Sequence, residues 1–249
     1  MSLFDLTGTT ALVTGAGKGI GRALAVGLAC AGADVVLHGR HPSRVAEVAD
    51  EVRAAGRTAT VWTVDLGDPP ARIADAVRDL PPVDVLVNNA GMIRRGPAVS
   101  QPFPTWREVL AVNLDAVFLL TQAVGAGMVE RGRGKIIMIA SLLSFQGGIN
   151  VAGYTASKHA VAGLTRSLAN EWAPFGVQVN AIAPGYIETD NTAPLRADPS
   201  RGSAILQRIP AGRWGRPDDL VGGAVFLSSA ASDYVAGHVL VVDGGWMTR

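Results

Sequence analysis

The chain is predicted to be an α/β protein, one doubly wound parallel sheet of seven strands with helices on both faces, filling a single domain over residues 1–249. Three observations predict it. Seven short runs rich in β-branched residues are continuously apolar rather than alternating, the mark of strands buried on both faces. Helical stretches separate these runs in strict βαβα order, which builds a parallel sheet. A length of 249 residues with 48% hydrophobic and 17% charged side chains supplies one large core and excludes a disordered chain.

The first strand, 10–14, runs into Thr14-Gly15-Ala16-Gly17-Lys18-Gly19-Ile20-Gly21, and helix 20–31 follows. Glycines there allow a tight turn and close approach of backbone to a pyrophosphate, which the free N–H groups and positive end of the helix attract. This is the Rossmann-type arrangement, and its strand-before, helix-after context is present. After strand 33–37 the chain reads His38-Gly39-Arg40-His41, ahead of helix 44–55. An acidic residue at this strand end would grip an adenosine ribose diol, whereas arginine accommodates a 2′-phosphate. With no carboxylate there, Arg40 and Lys18 predict NADP(H) as the preferred cofactor, NAD(H) remaining the alternative. The competing view of Arg40 is a solvated surface arginine.

Strand 59–64 ends in Asp65-Leu66, ahead of helix 72–79. Strand 83–87 ends in Asn88-Asn89-Ala90-Gly91, ahead of the long helix 106–130. Both strand ends fall on the carboxyl edge of the sheet, where ligands bind in open α/β folds. Asp65 is placed to accept from an adenine amino group, and the small Ala90-Gly91 pair lets backbone approach the cofactor. Either sequence alone also suits an ordinary turn. Strand 135–140 closes on Ser141, and helix 154–172 carries Tyr154 and Lys158 four residues apart, on one face and about 6 Å apart along the axis. A tyrosine of pKa about 10 needs a drop of about 3 units, roughly 4 kcal/mol, to exchange protons near neutrality. An ammonium about 4 Å away at an effective dielectric of about 20 supplies an attraction of that order. Taken singly, Ser141 also reads as a strand-end cap, Tyr154 as a half-buried helix aromatic, and Asn113 as a polar residue bonded to backbone.

Strand 178–182 leads through Pro184-Gly185 into 186–214, where Asn191, Thr192, Pro194, Asp198, Pro199 and Pro210 interrupt any long helix. Loops of this length in a compact domain are commonly functional, so the segment is expected to be a mobile substrate lid with a short helix near 203–208. Helix 218–228 and strand 239–242 complete the sheet, and Asp243-Gly244-Gly245-Trp246 follows.

Twenty-two basic against 21 acidic residues leave a formal charge of +1, with the basic residues scattered, which argues against a nucleic-acid partner. Only Lys18, Lys135 and Lys158 are lysines, so each invites the question of why arginine does not stand there. The single cysteine, Cys30, is expected to be a buried structural thiol. Met1 to Thr10 carries Asp5 and no basic start followed by an apolar run, so a cytoplasmic location is expected. No uninterrupted apolar stretch of about 18 residues suggests a membrane span. No metal site is expected.

The set Thr14-Gly15-x-x-x-Gly19-x-Gly21, Asn88-Asn89-Ala90-Gly91, Asn113, Ser141, Tyr154-x-x-x-Lys158 and Pro184-Gly185 resembles the short-chain dehydrogenase/reductase family over essentially the whole chain. The resemblance implies that Tyr154 is the general acid/base and that Ser141 orients the substrate oxygen. It implies that Lys158 lowers the tyrosine pKa and holds the nicotinamide ribose, and that Asn113 positions a water in a proton relay. Pro184, Gly185, Ile187 and Thr189 match the segment that touches the nicotinamide. It also implies a homotetramer.

Met92-Ile93-Arg94-Arg95 puts two arginines near the nicotinamide pocket, where guanidinium groups would grip a carboxylate; the plain alternative is a solvent-facing pair. Further stretches, Ala140 to Ile149 with Gln146 among them, Asn170-Glu171-Trp172-Ala173 and Arg208 to Gly215, resemble the sugar-acid branch of the family. The expected activity is therefore NAD(P)(H)-dependent interconversion of a secondary alcohol and a ketone on a small gluconate-type acid. Gly39-Arg40 departs from that branch, where NAD use is common. The alternatives are a reductase of 3-oxoacyl carrier-protein thioesters and, from another class, a non-catalytic dinucleotide sensor.

Overall fold

A computed structural model describes residues 3–249; Met1 and Ser2, within the N-terminal stretch considered above, lie outside the described residues. Strands β1 (Thr10–Val13), β2 (Asp34–His38), β3 (Ala59–Trp62), β4 (Val85–Asn88), β5 (Gly134–Ile139), β6 (Val177–Pro184) and β7 (Val239–Val242) form one parallel sheet in the order β3-β2-β1-β4-β5-β6-β7. The order reverses beside β1, so the carboxyl ends of β1 and β4 part at the switch point where a crevice forms.

Helices α1 (Gly19–Cys30), α2 (Pro42–Ala54), α3 (Pro70–Arg78), α4 (Phe103–Leu110), α5 (Ala116–Arg131), α6 (Ala152–Trp172), α7 (Ala193–Ala197), α8 (Pro199–Arg208) and α9 (Val221–Ser228) cover both faces or cap the carboxyl edge. One core layer joins α1, α2 and α9 to the sheet through Leu24, Leu28, Val48 and Leu227. The opposite layer joins α5 and α6 through Leu120, Met128, Val161 and Leu168. Every residue of β4 is buried, as a strand covered on both faces must be. The edge strand β3 departs from this rule: Thr60 and Val61 are exposed, because only one neighbour and little helix cover it.

Three expectations need correction. Cys30 is exposed, because it closes α1 at the helix end that leaves the core. The helix expected at 106–130 is interrupted in register: α4 and α5 are joined by a single π turn, Ala111–Asp115. The continuous helical stretch Phe103–Arg131 is also long and apolar enough to cross a membrane by length and composition. Here its Leu120, Val124 and Met128 side lies under the sheet, so burial in the core accounts for part of that apolarity. The segment 186–214 holds α7 and α8 rather than one short helix. Asp198 caps α8 by accepting from the N–H groups of Ser200 and Arg201.

Candidate active site

A cleft of about 420 Å³ opens along the carboxyl edge from Arg40 at one end to Tyr154 and Lys158 at the other. Its floor is the glycine loop. Gly15 has φ +65°, a left-handed conformation that glycine adopts without strain. A β-carbon at Gly21 would collide with the Gly15 carbonyl oxygen and the Asn89 side chain, so glycine there lets α1 begin hard against the ends of β1 and β4. Asn89 Nδ2 donates to the Thr14 carbonyl at 2.8 Å, and Thr14 Oγ1 accepts from the N–H groups of Asn89 and Ala90, both at 2.9 Å. Thr14 is thus a clamp between two strand ends. Its sequence context marks it only as the start of a glycine motif.

Lys18 stands at the N-cap of α1 without a side-chain capping bond, and Gly17, Gly19, Ile20 and Gly21 line the cleft. The first-turn N–H groups and the helix dipole therefore meet a cleft lined by small residues, the environment a pyrophosphate requires. At the adenosine end Arg40 lies 3.9 Å from Asp65, both largely solvated, and Asp65 Oδ1 accepts from the Gly67 N–H at 2.9 Å. Leu66 and His41 line the same wall, and Arg44 adds a guanidinium that the helix pattern of 44–55 concealed. The Lys18 Nζ meets Asp190 at 2.6 Å across the mouth of the cleft, an exposed pair.

At the other end α6 presents Tyr154 and Lys158 on one face, toward Ser141 at the end of β5. Ser141 Oγ accepts from the Leu143 N–H at 3.1 Å and lies on the side of the cleft where it acts on the Tyr154 phenol. Lys158 is buried and donates from Nζ to the Ile139 carbonyl at 2.6 Å. Burial brings its ammonium down from 10.5 to about 8. Burial also raises the Tyr154 phenol above its ordinary value, while the Ser141 hydrogen bond and the charge of Arg95 pull it back. The Lys158 ammonium is engaged by the Ile139 carbonyl and stands 5.6 Å from the Tyr154 ring centroid. Asn113, wholly buried in the π turn, accepts from the Met92 N–H at 2.8 Å and donates to the Met92 carbonyl at 2.9 Å and to Ser157 Oγ at 3.2 Å. It thereby fixes the loop through Ala90 and Gly91 that edges the cleft.

Pro184 ends β6, and Ile187 is buried beside Gly215, to which it is bridged; Thr189 reaches the cleft wall, with its N–H held by Thr192 Oγ1 at 3.1 Å. Pro184, Gly185 and Ile187 support this wall from behind. The two arginines separate. Arg94 is engaged by Glu108, with bonds of 2.7 and 3.1 Å, and so is not available to a carboxylate as expected. Arg95 donates to the Asn191 carbonyl at 3.1 Å and lies near enough to Tyr154 and Tyr186 for its charge to act on both phenols. Gln146 Oε1 accepts from Trp246 Nε1 at 3.1 Å. Tyr186 packs against Trp214 and Trp246, with ring centroids 5.5 and 4.6 Å away. Tyr186, Trp214 and Trp246 were not legible as site residues, since they come together only when the lid and the C-terminal turn fold over the same edge. Among the described residues no group of three His, Cys, Asp or Glu side chains converges.

The model of the short chain dehydrogenase family matches residues 9–200, and the chain belongs to that family. It is an NAD(P)-dependent oxidoreductase acting on CH–OH groups. It is 57% identical over 249 residues to 2-dehydro-3-deoxy-D-gluconate 5-dehydrogenase of Bacillus subtilis strain 168, covering 99% of this chain and 97% of that one. A crystal structure of a putative NAD(P)-dependent gluconate 5-dehydrogenase from Beutenbergia cavernae, with bound NADP at low occupancy, superposes with a TM-score of 0.96 at 56% identity over 100% of both chains. A gluconate 5-dehydrogenase from Burkholderia cenocepacia J2315, in complex with NADP and tartrate, gives 0.93 at 42% identity over 99% of this chain and 98% of that one.

Proposed function

We propose that this protein uses NADP(H) to interconvert a secondary alcohol and a ketone on a small gluconate-type sugar acid. The observation that carries the reading is the placement of Arg95, whose charge reaches Tyr154 while Arg94 is spent on Glu108. One guanidinium beside the proton-transfer group suits an acid whose carboxylate lies a few bonds from the reacting carbon. Relatives named for sugar acids, one of them holding tartrate, support the same class.

When bound, the nicotinamide accepts or supplies the hydride. The protein supplies position and the proton path. In the oxidative direction Tyr154 takes the substrate hydroxyl proton, and Ser141 holds the substrate oxygen beside the phenol. Lys158 offers the positive charge that favours tyrosinate, and Asn113 holds the Met92 loop while it serves the relay that the family implies. Arg40, with Arg44 beside it and no acidic residue at the β2 end, favours a 2′-phosphate, in keeping with the NADP in both solved relatives. The segment 186–214 is the substrate lid, latched to the glycine loop through Lys18 and Asp190. The chain acts as a cytoplasmic homotetramer.

With NADP⁺ the purified protein is expected to oxidise gluconate-type acids and to leave the matching neutral polyols untouched. Arg95→Ala should raise KM for the acid on the order of tenfold or more, the loss of a charged hydrogen-bond partner. Arg94→Ala, which breaks only an exposed pair, should change it less than about twofold. Turnover of a 3-oxoacyl thioester with NADPH, and none of any sugar acid, would overturn the proposal.

A further inference from the structure

We infer that His38 is a positioning residue for the dinucleotide, holding the glycine loop in its binding shape only while its imidazole is neutral; this rests on that loop being the pyrophosphate site. His38 ends β2 and is 2% exposed. The Gly15 N–H donates to its Nδ1 at 3.1 Å, and Nε2 stands 3.0 Å from the Val64 carbonyl. An amide N–H only donates and a carbonyl only accepts, so one tautomer satisfies both bonds: bare Nδ1 and protonated Nε2. The main chain of His38 adds a third tie, its carbonyl accepting from the Ala16 N–H at 2.8 Å. One residue thus joins the β1 loop, the β2 end and the β3 end, the three segments around the adenosine half of the cleft.

A second proton on the ring would sit on Nδ1 and point at the Gly15 N–H, two donors face to face. Gly15 would then lose its partner or the loop would shift. Burial already holds the imidazole below its ordinary value of 6.5, with the Val64 carbonyl and the Asp65 carboxylate opposing this and Arg40 assisting it. From β3, Trp62 packs on the ring at 5.1 Å and brings no charge. Lys18 from the glycine loop with its partner Asp190, His41 at the N-cap of α2 and Arg44 in the first turn of α2 are further charged or titratable groups lining this part of the cleft. Neutral His38 therefore persists near pH 7, and the loop is released as acidity overtakes the depressed value.

The test is the dissociation constant of NADH and of NADPH, read by nucleotide fluorescence from about pH 8 to about pH 5, for wild type, His38→Asn and His38→Leu. NADH is needed because the 2′-phosphate of NADPH itself takes up a proton near pH 6. Asparagine keeps an acceptor for Gly15 and has no proton to gain. Wild type should weaken toward NADH as pH falls, while His38→Asn stays flat and matches wild type at pH 8 within about threefold. His38→Leu should bind about tenfold more weakly at every pH, raising KM for the nucleotide while kcat at saturation holds. An Asn variant with the wild-type pH slope, or a Leu variant that binds like wild type, overturns the role of His38. If His38→Leu fails to fold, the Asn comparison decides alone. A wild-type chain that binds neither nucleotide overturns the loop assignment, and the inference with it.

Discussion

At Lys158 stability and chemistry conflict. Burial brings its ammonium from 10.5 to about 8 in the folded chain, a penalty on the charged form of about 3 kcal/mol at neutral pH. The sign follows from proton counting. Between pH 8 and 10.5 the unfolded chain binds the extra proton, so stability rises with pH across that window; below 8 both states are charged and the whole penalty is present. Lys158→Met should therefore stabilise the protein by about 1–2 kcal/mol at pH 7, the remainder being lost with the bond to the Ile139 carbonyl, and should flatten this pH dependence. Urea unfolding at pH 7 and pH 10 checks both statements, and turnover should be abolished in the same variant. Loss of stability at pH 7 would show that the hydrogen bond outweighs the buried charge. That one of only three lysines in the chain is this residue made it conspicuous beforehand. The partners of the neighbouring Arg94 and Arg95 were not legible, since Glu108 and Asn191 reach them only through the fold.

The π turn at Ala111–Asp115 shows why one element can carry site information that hydrophobic pattern does not. Inserting one residue into a helical turn barely disturbs a pattern already apolar on most sides, so 106–130 reads as a plain helix. π turns nonetheless recur at functional sites because the widened turn re-aims a side chain. Here that side chain is Asn113, with both ends of its amide committed to Met92 and a further bond to Ser157. Asn113→Ala leaves the half-buried Met92 N–H and carbonyl without their partners and should lower stability by about 1–3 kcal/mol, with a fall in kcat beyond what reduced folding explains. The urea midpoint and activity per folded molecule measure the two effects separately. The strands were legible for the opposite reason. A central parallel strand such as β4 is covered on both faces, and continuous apolarity follows from that burial. At the edge strand β3 one side faces solvent, and there the same criterion overstates burial.

For the whole molecule, apolar residues exceed what the core of one chain consumes. Hydrophobic residues make up 48% of the sequence, yet Phe103 is 70% and Phe118 is 42% exposed at the start and middle of the stretch that runs from α4 into α5. The inner side of α5, Val117, Leu120, Val124 and Met128, is buried against the sheet, so its outward row of Phe118, Gln122 and Ala126, continued by Asp115 of the π turn, is what remains for another surface. The exposed Phe118 on that row is an apolar side chain that another surface would cover, and a second copy of the same helix meets it with the same row about a two-fold axis. Two such axes build the proposed tetramer. Phe118→Glu would set two carboxylates against each other at the centre of that contact, while leaving the inner face of α5 and the cleft untouched. Sedimentation of wild type should give a mass four times that of the 25.8 kDa chain, and the variant should fall to a smaller species with its monomer fold intact by circular dichroism. An unchanged tetramer in the variant would place the contact elsewhere on the surface. A wild-type monomer would leave the exposed phenylalanines to another partner.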